Sequence, residues 1–466
     1  MIGCFRFAVA VGAAFAAACS PPPLAPFAAC RDCNIVLISV DTLRADHVGA
    51  YGYSRPTTPN IDALAKKGVL FEHAVAQSSW TRPAHMSIFT GMYPREHGFV
   101  ALLDSRRLEP EVPTIASVLA SSGWATAGFS GGINLAASFG FGQGFDVYRN
   151  NGRSFRDNFE DMRWWLDHND GRRFFLFAHG YDAHTPYHGD EIDRRAIGLT
   201  SPPPRGRMRR ACKAGMQKMS AFVDEYDAAI RRADRYVGKI VAELERRALL
   251  SKTILILLSD HGEELLEHGR CFHISTLYRE VLEVPLIVVA PGLEPRRVKE
   301  PVAASVTIAP TIMELAGIGQ HPFPGSSLVP QARGAGVRAA PIVSETERAV
   351  SNGGDGHVVA LSNDGYKLIE WAANSRRTAF DQSRDRLEAE PIASGSRAEV
   401  ALVAELDRWS GQHPPRFGTR RKRQSLAKPS VPGGQPQQEE HGEKDGEDDP
   451  ALRRREQQLK SFGYAN

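Results

Sequence analysis

The chain has 466 residues, of which 42% are hydrophobic and 24% are charged. This length and balance suit a globular protein with two or three packed units, and they exclude a peptide, a fibre and a wholly disordered chain. Lysine and arginine number 57 against 54 acidic residues, so the formal net charge of +3 is too small to indicate a nucleic-acid partner.

The chain begins with a segment typical of an export signal. Residues 1–18 hold one early arginine, Arg6, and then an almost unbroken apolar run that ends before Cys19. The run is too short to span a bilayer comfortably, and small residues before a cysteine also suit lipoprotein processing, in which Cys19 becomes the acylated first residue. We therefore expect residues 1–33 to be a signal and tether. The protein would be exported to the periplasm or cell envelope, either anchored through lipid on Cys19, secreted without lipid, or held by an uncleaved anchor.

Four cysteines follow the apolar run and Cys19, at positions 30, 33, 212 and 271. Cys30 and Cys33 have the spacing of a redox motif or half a zinc site, but no second pair with ligand spacing accompanies them. In an exported linker we interpret them either as a local disulfide or as two unreactive thiols.

Short apolar runs predict the strands of a buried sheet. Residues 35–40 form the first run, and residues 174–177, 254–258 and 285–289 form three more. Each run is continuous and apolar, as expected for strands covered on both faces. Residues 222–249 carry apolar side chains at every third or fourth position, which predicts a long helix with one core-facing stripe.

Strands that alternate with helices predict the fold class. Over residues 34–320 we expect a doubly wound, largely parallel α/β sheet, with the active site at the carboxyl ends of the strands. Shorter elements follow, so a smaller C-terminal α+β subdomain is expected over residues 321–412. Residues 413–466 are rich in proline, glutamine and charge, which predicts a flexible tail whose last apolar residues are suited to docking on the body.

Three polar segments lie where side chains of such a fold converge. Asp41 directly follows the first strand, and Asp260 and His261, which follow another, offer an oxygen and a nitrogen ligand side by side. Pro83 suits the first turn of a helix, which places Thr81 at a helix amino terminus, where free amides favour an anion. Taken singly, each feature is also common in scaffolds.

Taken together, these segments resemble the sulfatase family of the alkaline phosphatase superfamily. The resemblance implies an alkaline phosphatase-like fold and the hydrolysis of a sulfuric or phosphoric ester. The similar segments occur in order at Asp41, residues 81–91, 93–98, 226–235, 259–263 and 284–292, with weaker similarity at residues 324–328 and 365–369.

The resemblance implies the roles of individual residues. It places the metal ligands at Asp41, Asp260 and His261 and the nucleophile at Thr81, with one divalent ion, Mn, Zn, Mg or Ca, of which calcium suits a nitrogen ligand least. Such an ion lowers the pKa of the hydroxyl and neutralises charge on the transferred group.

Four further residues are candidates around this centre. His184 matches a family histidine near the leaving group, where it acts as a general acid or orients the ester oxygen. His273 falls near a family position that contacts the anion, although it equally suits a surface or capping role. His85 and Arg44 are candidates for substrate binding, and Arg44 is also suited to bridging scaffold carboxylates.

Thr81 departs from the family pattern. Sulfatases proper convert a cysteine or serine, followed by proline and arginine, into formylglycine, and Thr81, with Pro83 and His85 after it, cannot form that aldehyde. A threonine ester must be resolved by attack at sulfur or phosphorus, which favours phosphate-type esters and leaves sulfate esters open. Thr42 stands where many members have a second metal-binding aspartate.

Two other functions also fit the sequence. A tether to the membrane favours a transferase that moves a phospho-substituent from lipid to a cell-envelope acceptor. A non-catalytic lipoprotein that binds an anionic glycan would keep the same fold. The basic run at residues 420–423 has no interleaved aromatic residues, so we expect no nucleic-acid partner.

Overall fold

The computed structural model describes most of the chain between residues 27 and 415. The predicted signal, Cys19 and the tail beyond residue 415 lie outside the described residues. No helix in the described part is long and apolar enough to cross a membrane. The described ranges are 27–101, 106–152, 154–169, 171–204, 208–337, 339–348 and 356–415.

Strands are distributed along the whole described chain. They are β1 (Asn34–Val40), β2 (Val69–Phe71), β3 (Ala74–Val75), β4 (Ala125–Gly131), β5 (Val147–Gly152), β6 (Phe174–Gly180), β7 (Thr253–Leu258), β8 (Glu264–Leu265), β9 (Cys271–Phe272), β10 (Glu283–Val284), β11 (Leu286–Val289), β12 (Arg296–Val298), β13 (Val302–Ala303), β14 (Ile342–Arg348), β15 (Gly356–Asn363), β16 (Tyr366–Trp371) and β17 (Arg376–Asp381).

Helices alternate with these strands. They are α1 (Pro59–Lys67), α2 (Thr81–Thr90), α3 (Pro94–His97), α4 (Ile115–Ser121), α5 (Phe155–Asp167), α6 (Glu191–Ala196), α7 (Met208–Ala214), α8 (Met216–Arg246), α9 (Arg279–Leu282), α10 (Ile308–Leu315), α11 (Val329–Ala332) and α12 (Arg397–Gln412).

The central sheet is covered on both faces. Its strand order is β12-β2-β11-β7-β1-β6-β4-β5, and β11 runs antiparallel to β7 and β2 whereas β1 is parallel to both its neighbours. Successive side chains of a strand point to opposite faces, so Ile35 and Leu37 of β1 enter one core and Val36 and Ile38 the other. Helix α8 packs on one face, and α2 and α10 pack on the other. The predicted doubly wound, largely parallel sheet is confirmed.

The predicted long helix corresponds to α8, with its start and end shifted towards the amino terminus. It spans Met216–Arg246 rather than residues 222–249. Tyr226, Ile230, Ala233 and Val237 are fully buried in the core. The three- and four-residue spacing that predicted the helix therefore also identified its packed face.

The C-terminal part forms a second sheet that contacts the body. Strands β14 to β17 are antiparallel in sequential order, and α12 packs against them. The backbone amide of Glu345 in β14 donates to the carbonyl of Gln77 at 2.9 Å, and the hydroxyl of Ser78 donates to the carbonyl of Glu345 at 2.7 Å. The second sheet thus holds the segment that leads into Thr81. The domain boundaries at residues 320 and 412 stay predictions.

The described residues contain two disulfides. Cys30–Cys33 confirms one of the two interpretations of that pair, and Cys212–Cys271 joins α7 to β9. The second bond joins residues with a sequence separation of 59. Its second cysteine, Cys271, lies two positions before His273 in the chain.

Removing the longer-range disulfide should cost more stability than removing the short one. Loop-closure entropy predicts a loss of about 4 kcal/mol in the free energy of unfolding for Cys212→Ser with Cys271→Ser, and about 2 kcal/mol for the matched control, Cys30→Ser with Cys33→Ser. Chemical denaturation of both double variants measures the difference. Equal losses would contradict this account.

Candidate active site

The central strands bring the predicted ligands to one edge of the sheet. Ser39 of β1 pairs with His179 of β6 on one side and with Leu258 of β7 on the other. Two residues further along, Asp41 and Asp260 leave their strands at the same level. Because the carboxyl ends of parallel strands meet at one edge, residues more than two hundred positions apart become neighbours.

Asp41, Asp260 and His261 form a compact donor set. Their ligand atoms lie within 4.8 Å of one another, and all three side chains are fully buried. Asp41 Oδ1 and Asp260 Oδ2 accept no hydrogen bond. His261 Nδ1 donates to the carbonyl of Gly262 at 2.9 Å, so Nε2 keeps its lone pair, and this atom lies 3.3 Å from Asp260 Oδ2.

This arrangement fits one divalent ion. Burial and the neighbouring Asp260 raise the pKa of Asp41 well above its ordinary value. Burial also opposes the ionisation of Asp260, but His261 and His85 hold its pKa below the usual range. Two buried carboxylate oxygens that accept no hydrogen bond, together with an imidazole lone pair that faces them, are stabilised by a cation.

Thr81 lies next to this donor set. It is the first residue of α2, and its hydroxyl is 3.4 Å from both Asp41 Oδ2 and His261 Nε2. Every residue of α2 is buried, and the helix ends at Gly91, whose positive φ of 67° suits glycine. The structure therefore brings the predicted nucleophile to the amino terminus of a buried helix, where backbone amides favour an anion.

His85 follows Thr81 by one helical turn and faces the scaffold of the site. Its Nδ1 lies 2.9 Å from the carbonyl of Thr81 and 3.3 Å from Asp260 Oδ2, and its Nε2 lies 2.9 Å from the hydroxyl of Ser39. The ring is fully buried. Both of its nitrogens therefore contact the protein around the metal ligands, and its predicted role in substrate binding stays a prediction.

His184 and His273 lie side by side, with ring centroids 5.1 Å apart. His184 Nδ1 donates to the carbonyl of Thr185 at 2.6 Å, and His273 Nδ1 donates to Glu263 Oε1 at 2.9 Å. Tyr187 donates its hydroxyl to the other oxygen of Glu263. Burial lowers the pKa of both histidines to about 3 and raises that of Glu263 to about 7. Both rings are thus neutral, and Nε2 of each is the proton-accepting atom.

Arg44 contacts groups of the scaffold beside the donor set, and its predicted contact with an anion stays a prediction. Its guanidinium donates to Asp46, to Glu267 and to the carbonyl of Glu263, and the residue is 4% exposed. Of the two roles that the sequence left open for Arg44, this geometry is that of a residue bridging scaffold carboxylates.

Two residues near the donor set were missed by sequence reasoning. His179 Nε2 lies 3.1 Å from Asp41 Oδ2, and the buried hydroxyl of Tyr181 has no hydrogen-bond partner. A signal was present, because the predicted strand at residues 174–177 continues to Gly180. A histidine at the carboxyl end of a central strand lies at the same edge as Asp41.

The comparison with known proteins identifies the family of the chain. Residues 33–318 match the sulfatase family. This match covers more than half of the chain, so the chain belongs to the sulfatase family. Its curated relatives are sulfatases, and the chain is an ester hydrolase of this family.

The similar curated proteins differ in how much they share. The Delta 4,5-hexuronate-2-O-sulfatase of Bacteroides thetaiotaomicron is 24% identical over 350 residues, which cover 65% of this chain and 72% of that protein. The choline-sulfatase of Rhizobium meliloti is 30% identical over 179 residues, which cover 38% of this chain and 34% of that protein. The second match therefore spans about a third of its relative's length.

The similar solved structures share the fold. One, a protein in complex with its substrate D-glucosamine-2-N,6-O-disulfate, has a TM-score of 0.71 at 18% identity and covers 83% of this chain and 99% of that chain. The phosphonate monoester hydrolase of Agrobacterium radiobacter has a TM-score of 0.68 at 19% identity, with coverage of 82% and 96%. At these identities the likeness shows the alkaline phosphatase-like fold.

A bound divalent ion should stabilise the protein through Asp41. At an ion concentration 100 times the Kd, binding adds about 2.7 kcal/mol to the free energy of unfolding, and a chelator removes this gain. Asp41→Asn should lose the ion-dependent gain, because the amide carries no charge. Thermal unfolding with and without chelator measures the ion-dependent stability of the native protein and of Asp41→Asn.

The control for this prediction is Asp234→Asn. Asp234 is also buried, but it caps α1 by accepting from the amides of Asn60 and Ile61, away from the donor set. We expect this variant to be less stable and still to respond to the chelator. An ion-dependent gain that survives in Asp41→Asn would contradict the assignment of the ligands.

Proposed function

We propose that the chain is a metal-dependent hydrolase of phosphate-type esters in which Thr81 is the nucleophile. One observation carries the proposal: the Thr81 hydroxyl lies 3.4 Å from both Asp41 Oδ2 and His261 Nε2 at the start of a buried helix. A hydroxyl in this place is next to the donor set that fits a cation and next to amides that favour an anion.

The first step is the attack of Thr81 Oγ1 on phosphorus. A bond forms between this oxygen and phosphorus while the bond from phosphorus to the leaving oxygen breaks. The Thr81 hydroxyl loses its proton to a base and the leaving oxygen gains one from an acid, so the protons of this step balance. Asp41, Asp260 and His261 would hold a divalent ion, whose positive charge would lower the pKa of the hydroxyl and neutralise the phosphoryl oxygens. Water then attacks phosphorus in the threonine ester, which releases the acid and restores Thr81.

His184 and His273 are proposed to move the protons. In each ring a fixed acceptor, the carbonyl of Thr185 or the carboxylate of Glu263, holds the proton on Nδ1, so Nε2 is the atom that exchanges a proton with the leaving group or with water. The arrival of an anionic substrate favours the protonated ring, because opposite charges attract. We therefore propose that His184 and His273 act as the general acid and the general base of the two steps.

Threonine favours phosphate-type esters over sulfate esters. A formylglycine hydrate releases sulfate by breaking its own carbon–oxygen bond, whereas the ester on Thr81 requires a second attack at the central atom. The similarity to the phosphonate monoester hydrolase of Agrobacterium radiobacter supports this substrate class. Sulfate-ester hydrolysis is the second candidate, and the similarity to the hexuronate sulfatase of Bacteroides thetaiotaomicron favours it.

We also propose that the protein works in an oxidising, exported compartment. The disulfides Cys30–Cys33 and Cys212–Cys271 support this location, because such bonds persist mainly outside the reducing cytosol. The lipid anchor on Cys19 is part of the same proposal, and it rests on the sequence alone.

Substitutions at Thr81 should separate a nucleophile from a structural residue. Thr81→Ala removes the attacking oxygen and should lower kcat by about 10⁴-fold, whereas Thr81→Ser keeps a hydroxyl and should retain activity within about tenfold. The assay is the release of p-nitrophenol from its phosphate, phenylphosphonate and sulfate esters at a fixed concentration of divalent ion.

Thr90→Ala is the matched control, because Thr90 lies at the other end of α2 and donates to the carbonyl of Met86. We expect it to keep its activity. Full activity in Thr81→Ala would remove the nucleophile from the proposal.

The same three esters test the substrate class. We expect a higher kcat/KM for the phosphate and phenylphosphonate esters than for the sulfate ester, because the threonine ester must be cleaved at its central atom. A preference for the sulfate ester would support the second candidate instead.

Product analysis in the presence of an added alcohol distinguishes hydrolysis, which gives the free acid, from transfer, which gives a new ester.

A further inference from the structure

The side chain of His179 makes a single hydrogen bond, and its partner is a carboxylate of the donor set. His179 is the next-to-last residue of β6, it is fully buried, and its Nε2 lies 3.1 Å from Asp41 Oδ2. Its Nδ1 has no hydrogen-bond partner. Asp41 is ionised when it binds a cation, and a carboxylate only accepts, so in that state the proton of the neutral ring lies on Nε2 and is donated to Asp41.

Three rings fix the plane of this imidazole. Phe177 stacks on it, with ring centroids 6.2 Å apart, and the rings of His85 and Tyr181 meet it edge-on at 4.9 and 4.8 Å. The pairing of Ser39 with His179 in neighbouring strands also fixes the position of His179 along the strand direction. The ring therefore has little freedom to turn Nε2 away from Asp41.

The contact divides the two oxygens of Asp41 between two tasks. Oδ2 accepts from His179 at 3.1 Å and from the Thr81 hydroxyl at 3.4 Å, whereas Oδ1 accepts no hydrogen bond and keeps its lone pairs for a cation. A carboxylate whose orientation is fixed before the ion arrives loses less freedom on binding, and such supporting contacts commonly contribute about 10- to 100-fold to metal affinity.

We propose that His179 is a positioning residue, which sets the orientation of Asp41 as a metal ligand. This inference rests on the metal site of the proposed function. His179 is separate from the donor set itself, because within the described residues the group that can hold an ion consists of Asp41, Asp260 and His261.

A pair of amide substitutions tests this role. The side-chain amide of His179→Gln extends to the position of Nε2 and can donate to Asp41, whereas that of His179→Asn reaches only the position of Nδ1. We expect His179→Asn to weaken the Kd for the divalent ion by about 10- to 100-fold and His179→Gln to stay within about threefold of the native protein. The readout is calorimetric titration of the chelator-treated full chain with Mn²⁺, Zn²⁺, Mg²⁺ and Ca²⁺.

The control is His97→Gln. His97 is also a buried histidine, but it contacts Ser87 and the amide of Phe99, and we expect its substitution to leave the Kd unchanged. Near-ultraviolet circular dichroism of the ion-free proteins establishes that the variants are folded. If His179→Asn does not fold, His179→Gln decides alone: a Kd weakened tenfold or more overturns the inference, and an affinity near the native value supports it.

The remaining outcomes are distinct. An equal Kd for the native protein and His179→Asn overturns the positioning role and leaves the metal site intact. Two ions per native chain and one per His179→Asn chain also overturn it, because His179 would then be a ligand. A native protein that binds none of the four ions overturns the metal site of the proposed function, and the positioning role with it.

Discussion

The site depends on the repulsion between two buried carboxylates. Asp41 and Asp260 are fully buried at the ends of strands that lie side by side, and each has an oxygen that accepts no hydrogen bond. Buried charges of one sign cost several kcal/mol unless an opposite charge meets them. A cation between these oxygens and His261 removes this cost. The position of the cation also determines where a nucleophile must lie.

Three surrounding elements position Asp41 and Thr81. Strand β6 brings His179 against Asp41, α2 brings Thr81 to it, and the C-terminal sheet holds the segment before α2 through Glu345 and Ser78. Each of these contacts joins residues that are distant in sequence, so the site forms only when the sheet and its covering helices are assembled. The chemistry is therefore a property of the whole fold, and no single motif produces it.

The sequence predicted the features that local patterns encode. Continuous apolar runs indicated β1, β6, β7 and β11, and residues directly after such runs gave Asp41, Asp260 and His261. His179 was missed because its role depends on the register between β1 and β6, which no local pattern shows. The contacts of Arg44 with Glu263 and Glu267 and the Cys212–Cys271 bond also depend on long-range packing. Helix α8 begins directly after Gly215, whose φ of 91° is positive, and apolar periodicity alone does not mark such a boundary.

Anomalous X-ray diffraction from a crystal of the native protein grown with Mn²⁺ tests the central claim most directly. The account predicts one strong anomalous peak in contact with Asp41, Asp260 and His261, with the Thr81 hydroxyl beside it. A crystal with no peak at this point, or with its ion bound elsewhere while the two carboxylates stay together, would contradict the account.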